Sequence, residues 1–238
     1  MNIQNLLIKA PITLLLIVIF VGFALYQLTQ GVSMDNPSTN DLLRFGANFL
    51  PLSLTHEPWR VISSVFLHIG IIHLLFNGFA VYYFGQITEQ IIGKWQFLML
   101  FLLSALGGNL LNLFITWQDV QAGGSVGLSA GASGGIMGLG AFLLALAVLR
   151  APTMFVLNAK SLFVVMAINL LMGFALPGID NAAHIGGALI GALFGMMMSL
   201  VLKSKLSRAW FWKMSVIVAA VFGVVWWQLH TQVLALIA

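Results

Sequence analysis

The chain has 238 residues, of which 61% are hydrophobic and only 7% charged, and its mean hydropathy is +1.03. A soluble domain carries about 25% charged residues, so this chain cannot clothe a water-facing surface, and its solvent is lipid. The net charge of +4 does not signal nucleic acid, because the basic residues lie between apolar runs, and the absence of cysteine excludes disulfides, thiolate nucleophiles and cysteine-ligated metals.

A helix needs about 20 apolar residues to cross about 30 Å of hydrocarbon. Seven runs meet that need, at approximately 11–28, 66–92, 95–117, 128–149, 161–178, 182–202 and 209–234. The first is too long for a cleavable signal, lacks a small-residue cleavage pattern and is followed by further spans, so it is expected to be retained. Between the first and second lies the one long connection, 29–65. It holds Pro37, Pro51 and Pro58, charges of both signs and the apolar patch "NFLPLSL", which reads as a structured loop at the membrane interface. The second span opens with "HIGIIHLLFNGF", where His73 and Asn77 are four residues apart and share a helix face. The fourth carries "GASGGIMGLGAF", with Ser133 among Gly131, Gly134, Gly135, Gly138 and Gly140. The sixth carries "NAAHIGGALIG", with His184 ahead of Gly187, Gly191 and Gly195. In the seventh, Trp226 and Trp227 read as an interfacial belt.

Lys9, Lys94, Arg150, Lys160, Lys203, Lys205, Arg208 and Lys213 fall on the side of the N-terminus, and only Arg44 and Arg60 on the other. By the positive-inside rule the N-terminus is cytoplasmic and the C-terminus, after seven crossings, is outside. Spans two, four and six then run inward from the outer surface. They bring His73 with Asn77, Ser133 about five residues into its span, and His184 to one depth, on the order of 5–10 Å below the surface. Polar groups at such a depth are costly and mark function by default.

Glycines four apart, Gly134 with Gly138 and Gly187 with Gly191, let helix backbones approach closely in lipid. Spans four and six are therefore expected to pack face to face, with Ser133 and His184 at the same end of the contact. A serine hydroxyl within reach of an imidazole is the minimal activated nucleophile, because the ring takes the hydroxyl proton during attack.

These motifs, "GASGG", "NAAHIGGALIG" and "HIGIIHLLFNGF", preceded by "EPWR", resemble those of the rhomboid intramembrane serine proteases, in order and spacing, from about residue 57 to 200. The resemblance implies an all-α polytopic membrane protein, a six-helix transmembrane bundle over about 11–202 with one C-terminal transmembrane helix appended at about 209–234. The whole chain, 1–238, would be a single polytopic membrane domain. It implies a serine endopeptidase that cleaves peptide bonds in or near transmembrane segments, with Ser133 as nucleophile and His184 as general base. His73, Asn77 and the Ser133 backbone N–H would form the oxyanion hole. The family often has an aromatic residue four positions after the nucleophile, stacked on the histidine; here Met137 stands there, and a thioether can pack on an imidazole.

Other polar residues read more plainly. His68 is off the face of His73 and reads as structural. Asp180 reads as a loop or cap residue, Glu89 as a partner in a tertiary hydrogen bond, and Trp59 and Arg60 as anchors of the first loop. A zinc protease needs a string such as His-Glu-x-x-His, and an aspartyl protease needs two carboxylates inside spans; the sequence offers neither. No cofactor or metal is expected. The partners expected are transmembrane protein substrates and the bilayer, not nucleic acid, and the location expected is the bacterial inner membrane with the site opening outward. The alternative is a catalytically silent binder of transmembrane helices, which would be expected to lack Ser133 or His184. A transporter would want charged or discontinuous midplane sites instead.

Overall fold

The structure is a computed structural model that describes residues 3–175 and 178–237. The chain is almost entirely helical. A short helix α1 (Ile3–Lys9) leads into α2 (Pro11–Thr29), whose proline at the first helical position sets the turn without forfeiting a bond. The 29–65 connection is structured, as its composition suggested. It contains α3 (Thr39–Arg44), β1 (Asn48–Phe49), α4 (Leu50–Ser53) and α5 (Arg60–Ser63), with a 3₁₀ turn at Ser64–Phe66. A bend of 92° then turns the chain into α6 (Ile71–Ala80), which passes through a π turn at Val81–Gly85 into α7 (Gln86–Ile92). Next come α8 (Lys94–Gln121), β2 (Leu128–Ser129), α9 (Ser133–Val148), α10 (Ala159–Ala175), α11 (Asn181–Ser204) and α12 (Ala209–Ile237). Residues 176 and 177, at the end of the predicted fifth span, lie outside the described residues.

Among the described residues, α2, α8, α11 and α12 are each long and apolar enough to cross a membrane, and the bent pair that ends in α7 is a fifth candidate. Helices α9 and α10 are apolar but shorter. At 1.5 Å per residue the 16 residues of α9 reach only about 24 Å, short of the roughly 30 Å of a hydrocarbon core.

Side-chain bonds sort the segments to two ends of the bundle. At one end, Glu89 in α7 caps α2. Its carboxylate accepts the N–H of Ile12 (3.0 Å), the N–H of Thr13 (2.8 Å) and the Thr13 hydroxyl (2.8 Å). These are the orphan donors of a helix start whose own cap residue, Ala10, offers no side-chain acceptor. A carboxylate there also meets the positive end of the helix dipole, which is why Glu89 can be buried. Arg208 donates to the carbonyl of Ile91 at the same end. Lys9 at the end of α1 and Lys94 at the start of α8 stand next to these contacts in the chain. At the other end, Asn48 pairs with Ser129 in the β1–β2 bridge. Arg60 there reaches the carbonyls of Leu43 (2.7 Å) and Ala47 (3.2 Å) and pairs with Glu57 (2.5 Å), anchoring the loop as expected.

The core is aromatic, with Phe97 and Phe101 of α8, Phe142 of α9 and Phe194 of α11 fully buried. The α9–α11 seam is glycine against backbone. A Cβ on Gly187 would collide with the backbone of Gly134, and one on Gly191 with the backbone of Gly138. Gly186 lies as close to the carbonyl of Gly107 in α8, where a Cβ would sit 2.6 Å from the oxygen. Spans four and six thus meet face to face, as their glycine spacing suggested.

Glycine-to-alanine substitutions should separate by environment. Gly187→Ala or Gly191→Ala should lower thermal stability in detergent by about 1–3 kcal/mol, through overpacking against fixed backbone. Gly22→Ala and Gly223→Ala, where a Cβ meets nothing within 4 Å, should be neutral or gain up to about 1 kcal/mol from helix propensity. Equal effects at the two kinds of position would contradict the seam.

Candidate active site

The segment that delivers Ser133 is not helical until Ser133 itself. Ser129 ends the two-residue strand, Gly131 takes φ +136°, and its N–H donates to the carbonyl of Ser64 at 2.9 Å. Only glycine serves here. The backbone lies where L side chains rarely go, and a Cβ would sit 2.7 Å from Cε1 of His73. Ser133 is therefore the first residue of α9, not five residues into a span. A glycine-rich run reads as helix by hydropathy alone, which does not encode the turn at Gly131. Ala132 supplies no side-chain cap. The first intrahelical acceptor serves Ile136, so the N–H groups of Ser133, Gly134 and Gly135 have none. These donors and the helix dipole favour negative charge at this point.

His73 and Asn77 face the same place from α6. The N–H of Ile69 donates to Nδ1 of His73 at 3.2 Å. A backbone N–H can only donate, so Nδ1 is the acceptor, and in the neutral ring Nε2 carries the hydrogen. That Nε2 lies beside Gly131, 3.0 Å from where a Cβ would stand, and Nδ2 of Asn77 lies 3.7 Å from it. The Asn77 amide nitrogen is buried and has no hydrogen-bond partner among the described residues. His68, five residues earlier in the bend before α6, packs edge-on to His73 at 5.4 Å and against Phe20 at 5.0 Å. It braces the His73 ring, in keeping with a structural role.

His184 comes from the first turn of α11. Asp180 caps that helix by accepting the N–H of Ala183 at 2.9 Å, and its other oxygen accepts the hydroxyl of Ser129 at 2.5 Å. Both carboxylate oxygens are engaged, and Nδ1 of His184 has no partner among the described residues. Asp180 is thus a cap, as read from the sequence, and not an orienting acid for His184. The carbonyl of Ala183, the residue before His184, lies 3.2 Å from a Cβ placed on Gly134, the residue after Ser133. Ser133, His184, Asn77 and Met137 line one cavity of about 470 Å³. It continues between α6 and α10 past Tyr83, Ser161 and Met166, and most of its lining is apolar. The described residues contain no group of three or more His, Cys, Asp or Glu arranged to hold a metal ion.

Two contributors were not singled out in the sequence. Asn109 in α8 donates to the carbonyl of Val61 (2.8 Å) and the hydroxyl of Ser64 (2.9 Å), and so steadies the residue whose carbonyl holds Gly131. Ser129 joins the Ser133 segment to the cap of α11. The signal for Asn109 was present, a polar residue in an apolar span, but its partners lie far away in sequence.

Comparison with known proteins bears on this geometry. The Rhomboid domain family model matches residues 55–201. The chain is 32% identical over 209 residues to rhomboid protease AarA of Providencia stuartii, covering 80% of this chain and 73% of that one. It is 34% identical over 163 residues to rhomboid protease GluP of Bacillus subtilis, and 36% identical over 167 residues to the mitochondrial RHOMBOID-like protein 6 of Arabidopsis thaliana. Each of these matches covers 68% of this chain, but only 30% and 51% of the respective relative.

The cap assignment has a direct test. Asp180→Asn keeps an acceptor for Ala183 and a group for Ser129, and should stay within a few tenths of a kcal/mol of wild type; Asp180→Ala should lose about 1 kcal/mol of stability in detergent. An Asn variant as unstable as the Ala variant would show that the charge, not the cap, matters.

Proposed function

The chain belongs to the rhomboid family, an integral multi-pass membrane protein, and from that premise we propose that it is an intramembrane serine endopeptidase working with Ser133 and His184. The observation that carries the reading is the convergence of a hydroxyl, an imidazole and unpaired donors in one cavity at the start of α9. In this reading Ser133 Oγ attacks the carbonyl carbon of a substrate peptide bond while His184 takes the hydroxyl proton. The carbonyl oxygen becomes an oxyanion. It is met by the Ser133 N–H, the Asn77 amide and Nε2–H of His73, donors fixed before the charge appears. His184 then gives its proton to the leaving amine, and an acyl-enzyme remains. Water, deprotonated by the same imidazole, attacks the ester and frees Ser133. No third group is required to orient His184; its place in the first turn of α11 and the neighbouring Met137 hold the ring.

The substrates are transmembrane segments of other proteins. The apolar cavity between α6 and α10 supports this, since an apolar peptide can approach from lipid while the helix starts admit water from the outer end. We further assign the whole chain as one domain, a six-helix bundle with α12 appended. The N-terminus is cytoplasmic, the site opens outward and the membrane is the bacterial inner membrane. The distribution of basic residues supports the orientation.

Ser133→Ala and His184→Ala should each reduce cleavage of a single-span reporter protein by about 10⁴- to 10⁶-fold with unchanged thermal stability; substantial residual cleavage would refute the pairing, and cleavage by neither wild type nor variants would favour a silent helix binder. Asn77→Ala should slow turnover roughly 10²-fold while serine-directed fluorophosphonate labelling persists at a reduced rate. For orientation, an enzyme reporter that works only outside the cytoplasm should be active when fused after Ala238, and an inactive fusion would reverse the assignment.

A further inference from the structure

Helix α12 does more than lie beside the bundle. Its outer half is bound to the first loop by side chains that seek backbone. Trp226 Nε1 donates to the carbonyl of Ser53 at 3.0 Å, and Nδ1 of His230 lies 2.7 Å from the carbonyl of Leu54. A carbonyl only accepts, so His230 Nδ1 carries the hydrogen. The two rings stack on each other, 4.9 Å apart and 12° from parallel, which fixes both donors at once. Gln232 accepts the indole N–H of Trp117 in α8 at 2.8 Å. Beneath these bonds, Leu229 and Val233 share a buried cluster with Leu50, Leu54, Val61, Leu113 and Trp117. A tryptophan that merely marked the interface, as the sequence suggested for Trp226 and Trp227, would point its N–H at water or headgroups. Trp227 is largely exposed and fits that description; Trp226 does not.

The latched segment is coupled to the candidate site. Ser53 is fully buried, and its hydroxyl accepts the N–H of Phe49 at 3.0 Å. Phe49 and Asn48 form β1, which pairs with Leu128 and Ser129 of β2. Ser129 leads within four residues to Ser133, and its hydroxyl binds Asp180, the cap of the helix that bears His184. The route from α12 therefore reaches the segments that bear Ser133 and His184 through side-chain hydrogen bonds and one backbone pairing.

We propose that Trp226 and His230 are positioning residues, and that α12 holds the first loop so that β1 sets the register of the strand delivering Ser133. The inference rests on the protease reading for its kinetic consequence, but the latch itself does not. Neither residue touches the cavity. Loss of the latch should lower the fraction of molecules with Ser133 correctly placed, and so depress kcat while leaving KM, set by the α6–α10 face, nearly unchanged.

The test uses the full chain in detergent or nanodiscs. His230→Ala and Trp226→Phe each remove one donor, and the phenylalanine keeps a ring in the stack. His230→Asn is the rescue variant, because an Asn amide nitrogen occupies the same place on Cγ as Nδ1. Two readouts are taken: hydrogen exchange of amides 49–54, and kcat and KM on the single-span reporter, with Ser133→Ala as the inactive control. Exchange should rise severalfold in both donor-removing variants and kcat should fall roughly tenfold with KM within about twofold, and His230→Asn should return both toward wild type. Unchanged exchange at 49–54 overturns the latch. Faster exchange with wild-type kcat overturns positioning, leaving a loop fastener. A fall in kcat that His230→Asn does not rescue also overturns it. A wild-type protein without cleavage refutes the protease reading instead, and the exchange result still judges the latch. If His230→Ala does not fold, Trp226→Phe and His230→Asn carry the same comparison.

Discussion

The structure depends on one close approach, the backbone of α11 against the backbone of α9. In lipid no hydrophobic effect drives helices together, so association rests on packing and on the polar groups that packing satisfies. Gly187 over Gly134 and Gly191 over Gly138 leave backbone against backbone at those two crossings, and Gly195 packs against Phe142 and the Ala145 methyl one turn further on. Ser133 precedes the first of these glycines, and His184 stands three residues before its partner. Their apposition follows from the seam and needs no bond between them. Gly186 does the same toward α8, so the three central helices form one rigid unit.

A second pattern concerns how buried polar groups are satisfied. Glu89 and Arg60 are buried yet fully engaged, with a helix start in one case and loop carbonyls with Glu57 in the other. Buried polar groups in a stable fold are generally paired in this way. Among the described residues the exceptions are Asn77 Nδ2 and His184 Nδ1, which line the candidate cavity, and Asn48 Oδ1, Thr88 Oγ1, Ser104 Oγ and both ring nitrogens of His68, which do not. An unpaired buried polar group costs about 1–3 kcal/mol, so each of these is a local cost that the surrounding packing offsets. Two neighbouring histidines differ in their partners. His68 packs on rings with neither nitrogen paired, while the Nδ1 of His73 is filled by a backbone N–H and its other nitrogen faces Gly131.

Much of this was legible beforehand. Apolar runs located the helices within a few residues, because span length is imposed by the bilayer rather than by long-range contacts. Glycine spacing gave the α9–α11 seam, and Asp180, read as a loop or cap residue, is a cap. What escaped was the backbone that departs from helix. The start of α9 lies at Ser133 because Gly131 turns the chain in a conformation that hydropathy does not encode. The 92° bend ahead of α6 and the π turn at Val81–Gly85 are invisible for the same reason. Partners distant in sequence also escaped. Asn109 meets Val61 across 48 residues and Trp226 meets Ser53 across 173, and a single sequence holds no trace of such pairings.

The distance between Trp226 and Ser53 has a temporal side. A chain emerges from the ribosome at roughly 5–20 residues per second, and 173 residues separate these partners. The first loop therefore waits on the order of 10–35 s for the helix that fastens it. During that interval Ser133 and His184 have both been made and inserted, but the strand leading to Ser133 is held from one side only. Under the proposed latch, Ser133 and His184 would thus be made before the contact that holds the strand leading to Ser133, and synthesis of α12 would be the step that completes that hold.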